Sequence, residues 1–152
     1  MLIYKNGNIL ESTENIICHQ CNTQGIFGGG LAYQIKSKYH NCEISAINHV
    51  KTLQNKCSII GTYNIYFTND NKEIVNCFTQ NENFDTNYNA LEFVFSDILE
   101  YCKIYNKTIA IPFKYGCGIA NGDWNTVSKI LEKLSNKTSV DIVIYKLEKG
   151  EQ

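Results

Sequence analysis

The residues best suited to chemistry in this 152-residue chain form a glycine-rich loop near its start. The loop follows an apolar run at residues 16–18 and precedes helical periodicity at residues 31–36, an order that predicts a strand, a loop and a helix. Glycine is entropically costly to order, and a helix N-terminus behind such a loop offers unpaired N–H groups to an anion. We therefore expect a phosphate-binding loop, with an ordinary glycine-rich turn as the alternative. Its glycines are Gly25, Gly28, Gly29 and Gly30.

Two familiar phosphate-binding motifs do not fit this loop. A Walker A motif requires Lys-Ser/Thr directly after its last glycine, but Leu31 and Ala32 follow Gly30. Gly28 begins a dinucleotide-binding fingerprint, but Tyr33 occupies the position of its third glycine. The sequence therefore predicts neither a nucleoside triphosphatase nor a standard dinucleotide-binding domain.

A second glycine loop, at residues 115–122, follows the apolar run at 108–113 and leads into a helix that begins near Asp123. In open α/β sheets, ligands bind beyond the C-terminal ends of the strands, which is where both loops are predicted to lie. Two facing loops favour a ligand with two phosphates or a long groove. Because the chain contains no arginine, backbone N–H groups, amides, hydroxyls or Lys must hold any phosphate.

His19 and Asn22 lie at the end of the strand before the first loop. His19 could act as a general acid–base or orient a water near a phosphate; the alternative is a core histidine hydrogen-bonded to the backbone. The Asn22 amide suits ribose hydroxyls and also suits an Asx turn that caps the loop, and the two roles are compatible.

Three further side chains border the second loop. Asp123 could cap the following helix or act as a base that activates water. Lys114 could neutralise a phosphate or be a solvated surface lysine. Tyr115 could cover a ribose or base, or lie at the rim of the site.

Seven cysteines are scattered along the chain, and Cys18 and Cys21 form a C-x-x-C. A zinc site needs a second pair at suitable spacing, which is missing. A thioredoxin-like pair should open a helix, whereas here the glycine loop intervenes. We expect small buried free thiols, no metal and no cofactor.

Composition indicates one soluble globular domain covering residues 1–152, since 43% of the residues are hydrophobic and 19% are charged. A net charge of −1 leaves no electrostatic footprint for nucleic acid or an anionic membrane. No signal peptide or transmembrane-length apolar run is present. We expect a cytoplasmic protein, and a monomer.

Alternating strands and helices predict a three-layer α/β/α domain. The hairpin at residues 57–79 adds an antiparallel pair to a sheet that is otherwise largely parallel. The predicted strands cover residues 2–4, 15–21, 57–67, 73–79, 108–113 and 140–145, and the predicted helices 29–39, 43–53, 88–105 and 123–134.

The joint pattern of these motifs resembles the macrodomain family. The resemblance rests on residues 7–10, 17–22 and 25–34, with Lys38 and Tyr39, and on Ile111-Pro112 followed by residues 116–124. It covers nearly the whole chain and is closest to the branch that includes ADP-ribose 1''-phosphate phosphatases and related phage and bacterial proteins. It implies a mixed, mostly parallel six-stranded sheet and a cleft for ADP-ribose.

The resemblance also assigns residues to parts of the ligand. Asn8 and Ile9 correspond to the adenine end, Asn22 to the distal ribose, and His19 to a histidine implicated in the yeast-type phosphatase. The predicted catalytic residues are His19 and Asp123. The predicted binding residues are Gly7, Asn8, Ile9, Asn22, Gln24, Gly25, Phe27, Gly28, Gly29, Gly30, Leu31, Lys114, Tyr115, Gly116, Cys117, Gly118, Ile119 and Ala120.

Two departures narrow the expected chemistry. The branch that removes ADP-ribose from glutamate has a lysine where Gln80 stands and an aspartate where Ala120 stands, so a lysyl-adduct mechanism is not expected. We expect hydrolysis of ADP-ribose 1''-phosphate to ADP-ribose and phosphate. The alternatives are an ADP-ribosyl hydrolase acting on a protein, nucleic-acid or small-molecule conjugate, and a non-catalytic module that reads or sequesters ADP-ribose.

Overall fold

The computed structural model describes residues 1–147, which are built around a six-stranded β-sheet. The strands are β1 (Leu2–Asn6), β2 (Ile16–Gln20), β3 (Thr62–Phe67), β4 (Glu73–Phe78), β5 (Ile109–Pro112) and β6 (Ile142–Lys146). The helices are α1 (Gly30–Lys38), α2 (His40–Leu53), α3 (Tyr88–Tyr105) and α4 (Trp124–Thr138), and a short 3₁₀ turn spans Ile9–Glu11.

The strands lie in the order β1-β6-β5-β2-β4-β3. Every neighbouring pair is parallel except β3 and β4, which form an antiparallel pair with Ile65 opposite Val75. The predicted hairpin in a mostly parallel sheet is therefore confirmed, and it lies at one edge. Because the other strands run in one direction, the C-terminal ends of β1, β2, β5 and β6 meet at the same edge of the sheet.

Helices cover both faces of the sheet, as the apolar character of its central strands requires. On β2, Ile16 and Cys18 pack in a core built with α3 and α4, whereas Ile17 belongs to a second core built with α1 and α2. The predicted three-layer α/β/α architecture is confirmed.

Helix α3 has the predicted bounds because its sequence marks both ends. The Asn87 side chain accepts a hydrogen bond from the Ala90 N–H at its start, an ordinary N-cap. Asn106 ends the helix with a φ of 53°, in the left-handed region that asparagine tolerates. Between these ends, a buried stripe that includes Leu91, Phe95 and Ile98 faces the sheet.

Three predicted boundaries are wrong by three residues or more. Residues 57–61 are not strand, because Gly61 has a φ of +90° and the Thr62 N–H closes a turn on the Ile59 carbonyl. Helix α2 begins at His40 rather than residue 43. Helix α4 continues beyond residue 134 to Thr138, whose buried hydroxyl donates to the Leu134 carbonyl.

All seven cysteines are free, and five are buried. Cys18 and Cys21 lie in different cores, so the C-x-x-C side chains do not form one site. Within residues 1–147, no helix combines the length and apolar character needed to span a bilayer, and no group of three His, Cys, Asp or Glu side chains is placed to hold a metal. Residues 148–152 lie outside the described part, and the single domain over 1–152 stays a prediction.

Candidate functional site

Three adjoining cavities follow the C-terminal edge of the sheet, and we call them together the groove. The proximal cavity, about 510 Å³, is lined by residues that include Asn8, Ile9, Phe113 and Tyr145. The central cavity, about 270 Å³, is lined by residues that include His19, Gly29 and Gly116. The distal cavity, about 350 Å³, is lined by residues that include Asn22, Gly28, Gln80, Phe84 and Ile119. The proximal and central cavities share Leu31 and Lys114, and the central and distal cavities share Gln20 and Gly29.

Asn22 organises the start of the first loop. Its Oδ1 accepts hydrogen bonds from the N–H groups of Gln24 (3.1 Å) and Ile26 (3.2 Å), and its Nδ2 donates to the Ile26 carbonyl at 3.0 Å. The interpretation as an Asx turn is confirmed, and the role at a ribose stays a prediction. Asn22 also lines the distal cavity.

The first loop is anchored beneath the groove through Gly25 and Phe27. Gly25 has a φ of +73°, and a Cβ there would lie 3.0 Å from the Ala46 carbonyl carbon and oxygen, so glycine is required for both conformation and space. The Phe27 side chain is buried, and its N–H donates to Glu43 Oε2 at 2.7 Å. These contacts fix the loop to α2, and Phe27 also lines the distal cavity.

The remaining glycines of the first loop leave their backbone accessible. A Cβ at Gly28, Gly29 or Gly30 would meet nothing within 4 Å. The first helical hydrogen bond runs from the Tyr33 N–H to the Gly29 carbonyl, and the N–H groups of residues 30–32 have no acceptor within the described chain. These free donors at the N-terminus of a nine-residue helix suit an anion.

Gly116 is the fixed point of the second loop. Its φ is +70°, and a Cβ would lie 2.7 Å from Thr86 Oγ1 and 3.1 Å from Gln20 Nε2. Its carbonyl accepts hydrogen bonds from the Thr86 hydroxyl at 2.6 Å and the Gly122 N–H at 2.9 Å. The N–H groups of residues 116 and 118–120 have no acceptor among residues 1–147, so this loop also offers donors.

Lys114 and Tyr115 point to different surroundings. Lys114 is exposed, has a φ of 59°, and lines the proximal and central cavities. The Tyr115 ring is buried against Phe95, and its hydroxyl is paired with Thr79 Oγ1 at 2.6 Å. The Tyr115 ring therefore does not lie exposed at the rim, although the residue lines the central cavity. Its role in ligand binding stays a prediction.

His19 lies at the floor of the central cavity and is only 2% exposed. Its Nε2 is 2.6 Å from Asn76 Oδ1, its ring packs edge-on against Phe27, and its buried Nδ1 has no partner within the described chain. Burial lowers the pKa of His19 from 6.5 to about 4, although the hydrogen bond to Asn76 opposes this shift. The ring is therefore neutral near pH 7, and its catalytic role stays a prediction.

Asp123 is the N-cap of α4. Its carboxylate accepts hydrogen bonds from the Asn125 N–H at 3.3 Å and the Thr126 hydroxyl at 3.0 Å. The interpretation as a helix cap is confirmed. Asp123 is not among the residues that line the three cavities, and its role as a base stays a prediction.

The other predicted binding residues divide into two sets. Gly7 and Leu31 line the proximal cavity with Asn8 and Ile9. The residues that do not line the three cavities are Gln24, Gly25, Cys117, Gly118 and Ala120.

Sequence reasoning missed Asn76, Thr86 and Phe84. Asn76 is fully buried beside His19. Its position as a polar residue inside the apolar run of β4 could have marked it in the sequence. Thr86 positions the second loop from a distant segment, and no local pattern marks it. Phe84 is 50% exposed at the distal cavity with a φ of 72°, a conformation that costs free energy for a bulky residue.

Comparison with solved structures identifies the fold. The macrodomain of Mycobacterium tuberculosis DarG superposes with a TM-score of 0.81 at 23% identity, over 95% of this chain and 97% of that chain. The protein has the macrodomain fold. Thermosipho africanus DarTG, solved in complex with ADP-ribose, gives a TM-score of 0.79 at 18% identity, over 99% of this chain and 43% of that one.

Sequence comparison gives relatives of modest identity. A 17.5 kDa protein of unknown function, encoded in the tk–vs intergenic region of Enterobacteria phage T4, is 28% identical over 135 residues, which is 84% of each chain. The ADP-ribose 1''-phosphate phosphatase of Saccharomyces cerevisiae is 34% identical over 68 residues, 41% of this chain and 38% of the phosphatase. The chain therefore matches less than half of the yeast enzyme. No family profile matches the sequence.

The two positions at which the sequence departs from the glutamate-directed branch both contact Thr86. Gln80 forms an isolated bridge with Thr86 and lines the distal cavity. Ala120 is buried, and its carbonyl accepts the Thr86 N–H at 3.1 Å. Neither position carries a charged side chain.

Proposed function

We propose that this macrodomain binds ADP-ribose derivatives along the groove and hydrolyses ADP-ribose 1''-phosphate to ADP-ribose and phosphate. The observation that carries the proposal is the pair of glycine loops whose unpaired N–H groups border one groove. The yeast phosphatase match supports the choice of substrate, and the ADP-ribose complex of a protein with the same fold supports the choice of nucleotide.

In this proposal each part of the ligand occupies one cavity. The nucleoside enters the proximal cavity, which has the size range of a small-molecule site at about 510 Å³. The diphosphate lies at the N–H groups of the two loops. The distal ribose and its phosphate reach the distal cavity beside Asn22. Lys114 lies between the first two positions and adds one exposed positive charge.

The proposed reaction is attack of water on the terminal phosphorus, with cleavage of its bond to the oxygen on the distal ribose. N–H donors of the loops stabilise the charge that develops on the phosphoryl oxygens. His19 orients the water rather than donating a proton, because its pKa of about 4 leaves the ring neutral near pH 7. Asp123 is the candidate base, and it must give up part of its helix-capping role to act.

The distal cavity favours a second candidate function. No charged side chain is among its lining residues, and three of them expose apolar surface: Ile26 at 49%, Phe84 at 50% and Ile119 at 90%. An uncharged cavity with an apolar rim suits a leaving group other than phosphate. The second candidate is therefore an ADP-ribosyl hydrolase acting on a conjugate.

Two assays on one metal-free sample test the proposal: phosphate release from ADP-ribose 1''-phosphate, and calorimetric binding of ADP-ribose. His19→Gln retains an N–H for Asn76 but removes the Nδ1 acceptor, and His49→Gln is the matched histidine control outside the groove. We expect turnover by the wild type and by His49→Gln, and loss of at least about tenfold in His19→Gln.

The outcomes separate the candidates. Full turnover by a folded His19→Gln protein contradicts the role of His19. Binding of ADP-ribose without phosphate release contradicts the phosphatase, and release of ADP-ribose from an aryl glycoside of ADP-ribose then supports the conjugate hydrolase. Absence of both binding and release means that the groove does not recognise ADP-ribose.

A further inference from the structure

The outer edge of β3 presents backbone groups that no other strand of the described chain pairs with. β3 lies at the end of the sheet and is hydrogen-bonded to β4 alone. Just beyond β3, the Thr68 N–H donates inward to the Lys72 carbonyl at 2.9 Å. Inward-facing and outward-facing residues alternate along an antiparallel strand. The N–H and C=O groups of Tyr63, Ile65 and Phe67 therefore point outward.

The sequence of β3 lacks the features that usually protect a sheet edge. Charged side chains, proline and bulges commonly prevent an exposed strand from pairing with another chain. Residues 57–69 contain no charged residue and no proline, and the register with β4 is continuous from Thr62 to Phe67. Aromatic and β-branched residues, which favour strands, dominate β3. The edge is therefore suited to accept a further strand.

The opposite edge of the sheet, at β1, is protected. The Leu2 N–H donates to Glu132 Oε2 of α4 at 3.1 Å. Lys5 adds a charge to β1 and is paired with Glu14 at 3.5 Å. A strand added at this edge would displace the bond between Leu2 and Glu132 and lie beside charged side chains. The contrast between the two edges identifies β3 as the surface for pairing.

A second copy of β3 complements this edge. When two β3 strands pair antiparallel about a two-fold axis at Ile65, Tyr63 lies opposite Phe67 of the second copy, and Ile65 lies opposite Ile65. Each outward N–H then meets an outward C=O of the other chain. Aromatic and β-branched cross-strand pairs are stabilising, and no like charges face each other because residues 57–69 are uncharged. A net charge of −1 per chain adds little repulsion at long range.

We propose that two copies of this protein associate through β3 into a two-fold symmetric dimer with one continuous sheet. Two-fold dimers are the commonest homo-oligomers. Because paired edge strands alone bury less than the roughly 800 Å² per partner of a standard interface, we expect a dissociation constant in the micromolar range. This inference replaces the monomer expected from the sequence.

The dimer is independent of the proposed function. No residue of β3 is among those that line the three cavities of the groove. Both grooves therefore stay open in the dimer, and loss of the dimer should leave ADP-ribose binding unchanged.

Sedimentation equilibrium over a range of protein concentrations, with hydrogen exchange measured by NMR on the same samples, tests this inference on the wild type. We expect the average mass to rise from one chain towards two chains. The amides of Tyr63, Ile65 and Phe67 should gain protection as the mass rises, because pairing buries these exposed N–H groups. A mass of one chain up to about 1 mM, or a dimer without added protection at these amides, overturns the inference.

Phe67→Pro removes an outward donor without breaking a bond to β4, and proline is tolerated where the N–H of an edge strand faces solvent. The Phe67 side chain is 67% exposed, so the change removes little packing. The dimer loses two symmetry-related hydrogen bonds, and its dissociation constant should rise at least about tenfold.

Tyr4→Pro is the matched control, because Tyr4 is a 53% exposed aromatic residue on β1, at the opposite edge of the sheet. It should leave the dissociation constant of the dimer unchanged. Circular dichroism checks that both variants are folded. Equal dissociation constants for the two folded variants overturn the inference, and if Phe67→Pro does not fold, the exchange measurement on the wild type decides.

Discussion

At the scale of single residues, a chain of polar side chains fixes the state of His19. Asn76 Nδ2 donates to Asn64 Oδ1 at 3.2 Å, and Asn64 Nδ2 donates to Ser45 Oγ at 2.8 Å. The Asn76 oxygen is therefore the atom that faces His19, and the histidine carries its proton on Nε2. The network links β2, β4, β3 and α2 beneath the groove, so His19 is held rigidly and Nδ1 is its free nitrogen.

His19 should make the protein less stable in acid. The unfolded chain takes up a proton at His19 near pH 6.5, whereas the folded protein does so only near a pKa of about 4. The unfolded state therefore binds more protons between these values, and the folded state loses about 3 kcal/mol as the pH falls through that window.

Urea titrations of the wild type and His19→Gln at several pH values measure this loss. As the pH is lowered, the free energy of unfolding should decrease more steeply in the wild type than in the variant. The variant shares all the other titrating groups. Equal pH dependence in the two proteins would show that His19 titrates normally.

At the scale of elements, the glycines of the two loops serve different purposes. Gly25 and Gly116 have positive φ and lie against neighbouring atoms, so the fold requires them. Gly29 has a φ of −166°, which any residue can adopt, and open space at its Cβ position. Its lack of a side chain keeps the groove clear where it lines the central and distal cavities.

Alanine substitutions should separate these purposes. Gly116→Ala should lower the free energy of unfolding by about 1–3 kcal/mol, because its conformation is strained for alanine and its Cβ would collide with Thr86. Gly29→Ala should change it by less than about 0.5 kcal/mol yet weaken ADP-ribose binding about tenfold.

Urea denaturation of both variants measures the free energy of unfolding, and calorimetry measures ADP-ribose binding. Together they check both predictions. Stability loss in Gly29→Ala without an effect on binding would assign that glycine to the fold. Unchanged stability in Gly116→Ala would show that the second loop adapts to the added methyl group.

At the scale of the whole molecule, one sheet joins two cores and the groove. The core beneath α3 and α4 contains Tyr115 at the base of the second loop, and the core beneath α1 and α2 contains Phe27 of the first loop. A ligand that bridges the loops therefore depends on both cores at once.

The chain should unfold in one cooperative step. Trp124, the single tryptophan, packs edge-on against Phe113 beside one core, so its fluorescence reports one side of the sheet, whereas far-ultraviolet circular dichroism reports all elements. The two signals should coincide in urea, and ADP-ribose at about 100 times its dissociation constant should add about 2.7 kcal/mol to the free energy of unfolding. Separate transitions would indicate that the two layers fold independently.

Local patterns in the sequence determined the elements and the two loops. The apolar stripe and end signals of α3 give its bounds, and the glycines at residues 25–30 and 115–122 mark the loops that border the groove. These features depend on residues close together in the chain, so periodicity and turn chemistry are sufficient to predict them. The strand start at residue 57 was wrong because alternation does not reveal the positive φ of Gly61.

Only the tertiary structure decided what surrounds each side chain. Tyr115 enters a core through its pairing with Thr79, and His19 is buried beside Asn76, a partner far away in the chain. The same packing lowers the pKa of His19. Burial and hydrogen-bond partners arise from strands that meet across the sheet, and residue types along one segment do not encode these distances.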